Sequence, residues 1–241
     1  MNGLIRFVYF LYRPVLLLFF ALNTAILGGV VFILCCFDPT GNIAHYIGKF
    51  WARMNLFFSG VLVSVEGAEH VDREKSYIIM SNHQSHYDVL ALIAYMPLQL
   101  RWVMKLELRE VPIFGFCCEK MGHIYIDRGH SEKAHESLEI AGEKIRNGAS
   151  VVFFPEGTRS HNGELLPFKK GGFVIALEAK VPILPVTVVG GRKVVPKGSI
   201  RILPGRMKII IHEPIGVEGY SYDTKEKLME RVRGIIEQDL E

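Results

Sequence analysis

The longest feature of the hydropathy pattern is an apolar run near the amino terminus. From Pro14 to Phe37 the chain reads PVLLLFFALNTAILGGVVFILCCF without a charged residue, enough helix to cross about 30 Å of hydrocarbon. The run is too long for the core of a signal peptide, and no Ala-x-Ala cleavage site follows it. Leu34 before Cys35 also fits a lipoprotein signal poorly. Membrane attachment is the reading that remains. Asn23, Thr24, Gly28 and Gly29 weaken the middle of the run and suit a bend. Arg6 and Arg13 precede it while Lys49 and Arg53 follow, so charge asymmetry assigns no orientation. Next, Ile43, Ile47, Phe50, Trp51, Met54 and Phe57 recur at helical spacing. That aromatic face suits a bilayer, and it equally suits packing on a soluble domain. The pattern predicts a membrane-embedded helical pair over residues 1–60 that enters and leaves one leaflet.

From Val61 the period shortens. Strand-like runs occur at 62–65 (LVSV), 77–80 (YIIM), 102–104 (WVM), 124–126 (IYI), 150–154 (SVVFF), 183–189 (ILPVTVV) and 207–211 (MKIII). Helical patterns lie near 86–96, 132–147, 170–180 and 224–239. Such alternation predicts an α/β sandwich around a largely buried sheet, with 61–241 as one domain.

Composition narrows the class. The 241 residues are 49% hydrophobic with mean hydropathy +0.23, too apolar for disorder and high for a purely soluble protein. A formal charge of +3 gives no sign of a nucleic-acid partner. Its placement matters more: Arg192, Lys193, Lys197, Arg201, Arg206 and Lys208 fall between Gly190 and His212 without an acidic residue. That stretch reads either as a solvated face or as a contact for anionic lipid. The cysteines form two adjacent pairs, Cys35–Cys36 and Cys117–Cys118. No Cys-x-x-Cys spacing supports zinc or redox chemistry, and a reducing compartment is implied.

Four segments carry candidate chemistry. In SNHQSHYD (Ser81–Asp88), directly after a strand run, Ser85-x-x-Asp88 reads as a capping box. His83 then lies in the turn before the helix, where the first helical turn can return Asp88 to the imidazole. A carboxylate there would orient the ring and stabilise its cation, although an ordinary cap beside a surface histidine gives the same letters. In FFPEGTRS (Phe153–Ser160), Pro155 and Gly157 end a strand and deliver Glu156, Thr158 and Arg159 to its carboxyl end, where open α/β sheets bind ligands. Arg159 can grip a phosphate; Glu156 can hold that guanidinium or accept from a substrate. GHIYIDR (Gly122–Arg128) ends in Asp127 and Arg128, and VPILPVTV (Val181–Val188) is an apolar strand suited to a wall.

In this order the segments resemble the four blocks of the glycerolipid acyltransferase family, specifically its 1-acylglycerol-3-phosphate (lysophosphatidic acid) branch. Asn82, His83 and Asp88 match Asn-His-x4-Asp, and Gly122, Ile124, Ile126, Asp127 and Arg128 match the second block. Phe154–Ser160 matches Phe-Pro-Glu-Gly-Thr-Arg-Ser without change, and Val181–Val188 the Pro-rich fourth. Tyr125 stands where the second block usually has Phe.

The resemblance implies an α/β fold with a mixed, largely buried sheet flanked by helices behind the membrane-embedded pair. It implies transfer of an acyl chain from acyl-CoA or acyl carrier protein to the sn-2 hydroxyl of lysophosphatidic acid, giving phosphatidic acid in phospholipid biosynthesis. His83 would be general base, oriented by Asp88. Lys105, Arg128, Glu156, Gly157, Thr158 and Arg159 would bind substrate. No Gly-x-Ser-x-Gly occurs, so direct transfer is expected, without metal or organic cofactor. Membrane lipid is the expected partner, and the expected place is the inner membrane of the cell, catalytic domain on the cytoplasmic face. Glycerol 3-phosphate or another lysophospholipid is the alternative acceptor, and a thioester hydrolase or a non-catalytic scaffold the alternative class.

Overall fold

The computed structural model describes residues 3–37, 41–126, 145 and 148–240. Seven strands form one sheet: β1 (Val61–Glu66), β2 (Ile78–Ser81), β3 (Leu100–Lys105), β4 (Ile124–Ile126), β5 (Ser150–Phe153), β6 (Ile183–Val189) and β7 (Gly205–Ile211). Their spatial order is β1-β7-β6-β2-β5-β3-β4. Every neighbouring pair is parallel except β6–β7, so the sheet is mixed, as expected. All seven strand-like runs have become strands. The expected helix over 132–147 lies outside the described residues except for Ile145, which is buried.

The central strands read as continuous apolar runs because both faces are covered. Ile79 of β2, Val152 of β5 and Leu184 of β6 face a core completed by α2 (Asn42–Phe58) and α3 (His86–Tyr95). Their sequence neighbours Ile78, Val151 and Ile183 face a second core, with Phe173 of α5 (Gly171–Ala179) and Leu228, Val232 and Ile236 of α7 (Lys225–Gln238). The period of two thus sorts alternate residues into two layers.

The amino-terminal run is a single helix, α1 (Gly3–Phe37), unbroken at Gly28–Gly29. The polar residues in its middle serve another purpose than a break in the helix. Thr24 Oγ1 accepts from Trp51 Nε1 at 3.0 Å, and Asn23 Nδ2 lies 3.4 Å from Asn55 Oδ1, which ties α1 to α2. One side of α2 buries Ala44, Ala52 and Leu56, while Ile43, Phe50 and Phe57 are exposed. The helix therefore packs on the domain with one side and leaves aromatic residues exposed on the other.

Candidate active site

β2, β5 and β6 run parallel, so their carboxyl ends lie on one side of the sheet, and the histidine and Glu156–Arg159 motifs leave from the ends of β2 and β5. β2 stops at Ser81, and the chain turns before α3 begins at His86. Ser85, with φ −146 and ψ 158, is the N-cap; its hydroxyl accepts from Tyr87 N–H, and Asp88 answers by accepting from Ser85 N–H at 2.7 Å. Asp88 Oδ2 also accepts from Gln84 N–H at 2.6 Å and sits 3.2 Å from His83 Nδ1. An oxygen already taking two main-chain donors beside the ring acts as an acceptor for the third. That assigns the proton to Nδ1 and leaves the Nε2 lone pair free, without a hydrogen-bond partner among the described residues. The imidazole lies flat on Phe154, with centroids 3.9 Å apart and planes 11° apart, and Trp102 backs Phe154 at 5.9 Å. Ring tilt is thereby fixed as well as ring rotation.

The main chain of His83 is held on both sides. Its N–H donates to Glu156 Oε1 at 2.7 Å, and its carbonyl accepts from Ser160 N–H at 2.8 Å. Glu156 is buried, and its other oxygen accepts from Leu166 N–H at 2.9 Å. Burial pushes its carboxyl above the ordinary range, opposed by these two bonds. The guanidinium of Arg159 is not its partner; Arg159 has none among the described residues. Instead Arg159 approaches His86, whose imidazole is drawn below its usual value by partial desolvation first and the Arg159 charge second. The cation therefore stands free beside the histidine turn.

The remaining candidates spread outward. Gly157 takes φ 71, a conformation costly for any residue with a Cβ, and its N–H closes a turn onto Phe154 O at 2.9 Å. Thr158 is exposed. Lys105 leaves β3 at the same edge two strands from β2, about 10 Å across, and pairs with Glu107 at 2.6 Å on open surface. Asp127 and Arg128 lie outside the described residues. No group of three metal-ligating side chains gathers among the described residues.

Several contributors were not assigned a role from sequence. Asn82 is fully buried; its amide donates to Val188 O at 2.8 Å and accepts from Val188 N–H at 2.7 Å, joining the histidine turn to β6. Lys197 Nζ donates to Arg159 O at 2.6 Å, and Arg192 to Asn162 O, so two of the six clustered cations brace the Glu156–Asn162 loop. A third, Lys208, pairs with Glu66 at 2.7 Å. Gly191 opens the short helix α6 (Gly191–Val194), and a Cβ there would overlap Asp88 Oδ1, which is buried without a partner among the described residues. Gly191→Ala is expected to displace the carboxylate, at about 1–3 kcal/mol of overpacking, and to cut turnover about tenfold or more. Unchanged kcat in this variant would mean that the carboxylate tolerates the shift.

The family model described as Acyltransferase matches residues 62–189, which contain all of these motifs. A chloroplastic 1-acyl-sn-glycerol-3-phosphate acyltransferase of Brassica napus is 35% identical over 173 residues, 71% of this chain and 50% of that protein. The chain thus spans half the length of that relative. A 1-acyl-sn-glycerol-3-phosphate acyltransferase of Saccharomyces cerevisiae is 34% identical over 234 residues, 95% of this chain and 76% of its own. The crystal structure of the 1-acyl-sn-glycerophosphate acyltransferase PlsC of Thermotoga maritima superposes with TM-score 0.80 at 27% identity, covering 95% of both chains.

Proposed function

Because the chain belongs to the Acyltransferase family, we propose that it moves an acyl group from a thioester, acyl-CoA or acyl carrier protein, to the sn-2 hydroxyl of 1-acylglycerol 3-phosphate. The observation that carries this reading is the His83–Asp88 pair with its free Nε2. The acceptor class comes from the names of its relatives. Nε2 takes the hydroxyl proton as the oxygen attacks the thioester carbonyl. The tetrahedral adduct collapses, the C–S bond breaks, and the imidazolium returns its proton to the departing thiolate. Asp88 keeps Nδ1 protonated and supports the transient cation. The products are phosphatidic acid and free thiol, and no step requires a covalent enzyme intermediate.

Arg159 supplies the phosphate contact, as the unpartnered cation beside the histidine turn. Arg159→Ala is expected to raise the KM for lysophosphatidic acid about 10- to 100-fold, the worth of one charge-assisted bond, with the thioester KM nearly unchanged. A rise in the thioester KM alone would move Arg159 to the donor side.

The acceptor and product are lipids, so the site has to meet a bilayer. Tyr12–Phe37 of α1 is long and apolar enough to cross one. Yet α1 packs back on the rest of the chain from Tyr12, whose hydroxyl donates to Phe58 O of α2 at 2.6 Å, to Cys35, whose thiol lies 3.9 Å from Cys117 O of the domain. That is about 35 Å of helix lying along the protein, which supports attachment within one leaflet. The inner membrane of the cell, with the catalytic domain on its cytoplasmic face, completes the proposal. The test is full-length protein with lysophosphatidic acid and mixed thioesters, read by mass spectrometry. Phosphatidic acid is expected. Free fatty acid independent of acceptor would show a hydrolase, and acylation of glycerol 3-phosphate alone a different acceptor.

A further inference from the structure

The segment after β3 has no part in the chemistry above, and its surface does not suit water. Of the nine residues from Leu108 to Phe116, Leu108, Val111, Ile113, Phe114 and Phe116 are all exposed, Ile113 to 58%. Single exposed apolar residues are ordinary on a soluble protein; five large ones in one short loop are not.

The loop is also held rigidly in this posture. Ile113 has φ 65 and ψ −54, and Phe114 N–H reaches back to Pro112 O at 2.6 Å. This is a γ-turn of the strained hand, on a β-branched residue that rarely accepts positive φ. The loop is fixed from behind: Gly115 N–H donates to Val111 O at 2.8 Å, and a Cβ at Gly115 would overlap the Arg109 carbonyl. Strain of this kind persists only where the surroundings impose it, and here it pushes an isoleucine outward.

We propose that Leu108–Phe116 inserts into the lipid bilayer beside α1, giving the catalytic domain a second membrane contact of its own. The proposal rests on the membrane reading of α1 above. Lipid is the occupant because the loop continues the apolar face of α1. Helix α4 (Phe114–Lys120) sets Phe116 against Phe32 of α1, ring centroids 5.4 Å apart, next to the exposed Ile33 and Phe37. Nearby charges are already neutralised within the protein. Lys105 pairs with Glu107, and Arg109 grips Glu119 through two bonds of 3.0 and 2.9 Å, leaving Glu110 as the loop's charge without a partner among the described residues. Between them, VPIFGF carries no charge. The loop leaves the same sheet edge as the histidine turn, so its insertion holds that edge against the leaflet that supplies the acceptor.

The experiment uses full-length Phe114→Trp with vesicles of phosphatidylcholine and phosphatidic acid brominated in their acyl chains. Its added fluorescence is expected to be quenched, beyond the quenching of native Trp51 and Trp102 in the wild type. Ile113→Ser/Phe114→Ser is expected to weaken vesicle partitioning about tenfold or more. Its turnover of a water-soluble short-chain acceptor should stay at the wild-type level. No added quenching from Phe114→Trp on protein that α1 still holds on vesicles would overturn the proposal. So would a double variant that loses self-association by sedimentation while partitioning normally, since the face would then bind a second copy. Quenching needs no turnover, so failure of the functional reading appears separately, as wild-type protein that acylates neither acceptor.

Discussion

His83→Ala is expected to lower acyl transfer by about 10²–10⁴-fold, the usual worth of a positioned general base, with little change in either KM. The structure explains why the loss falls on the chemical step. The ring touches Asp88 and Phe154 and leaves Nε2 without a partner among the described residues, so its removal takes away a base and no binding contact of the main chain. Glu156 and Ser160 hold the backbone of residue 83 and remain in place. Stability should fall by only about 1 kcal/mol, which for a chain of this size moves Tm by about 2–4 °C. The measurement is single-turnover transfer beside a thermal melt. A variant that keeps a tenth of the wild-type rate with a normal melt would remove His83 from the role.

Strand positions were legible because a buried sheet writes itself as short apolar runs, and the Ser85–Asp88 capping box because its two bonds lie within four residues. The proximity of His83 and Asp88 followed from that same local geometry. Long-range bonds were not legible in the same way. Asn82 is recognisable as part of a motif, but nothing in its letters indicates that it clasps Val188, 106 residues away. The basic stretch from Arg192 shows charge, which reads alike whether a lysine faces lipid or, like Lys197, donates to a carbonyl of a neighbouring loop. Asn23 and Thr24 looked like weaknesses in an apolar helix because their partners, Asn55 and Trp51, sit on the next one. The apolar letters from Val111 to Met121 read alike whether they face water, lipid or the core. Only the turn at Ile113 separates an exposed half from the buried Cys117 and Cys118.

Glu156 gives the sharpest case, because its motif points to the substrate and its geometry points to the histidine. Both carboxylate oxygens are committed to main-chain N–H groups, those of His83 and Leu166. We infer from this geometry that Glu156 positions His83. Glu156→Gln retains one acceptor but turns an amide N–H₂ toward the other main-chain donor. One buried N–H is then unsatisfied, at about 1–3 kcal/mol, and the turn carrying His83 shifts to relieve it. A displacement on the order of 1 Å at the base costs about 10²-fold in rate. The expected result is therefore a kcat lowered about 10- to 100-fold with the lysophosphatidic acid KM within about twofold of wild type. Steady-state kinetics well below the melting transition separate this from simple unfolding. Glu156→Ala, which orphans both donors, should lose more stability than Glu156→Gln. If the acceptor KM rises while kcat holds, Glu156 reaches the substrate after all, and His83 must owe its position to Ser160, Asp88 and the ring of Phe154 alone.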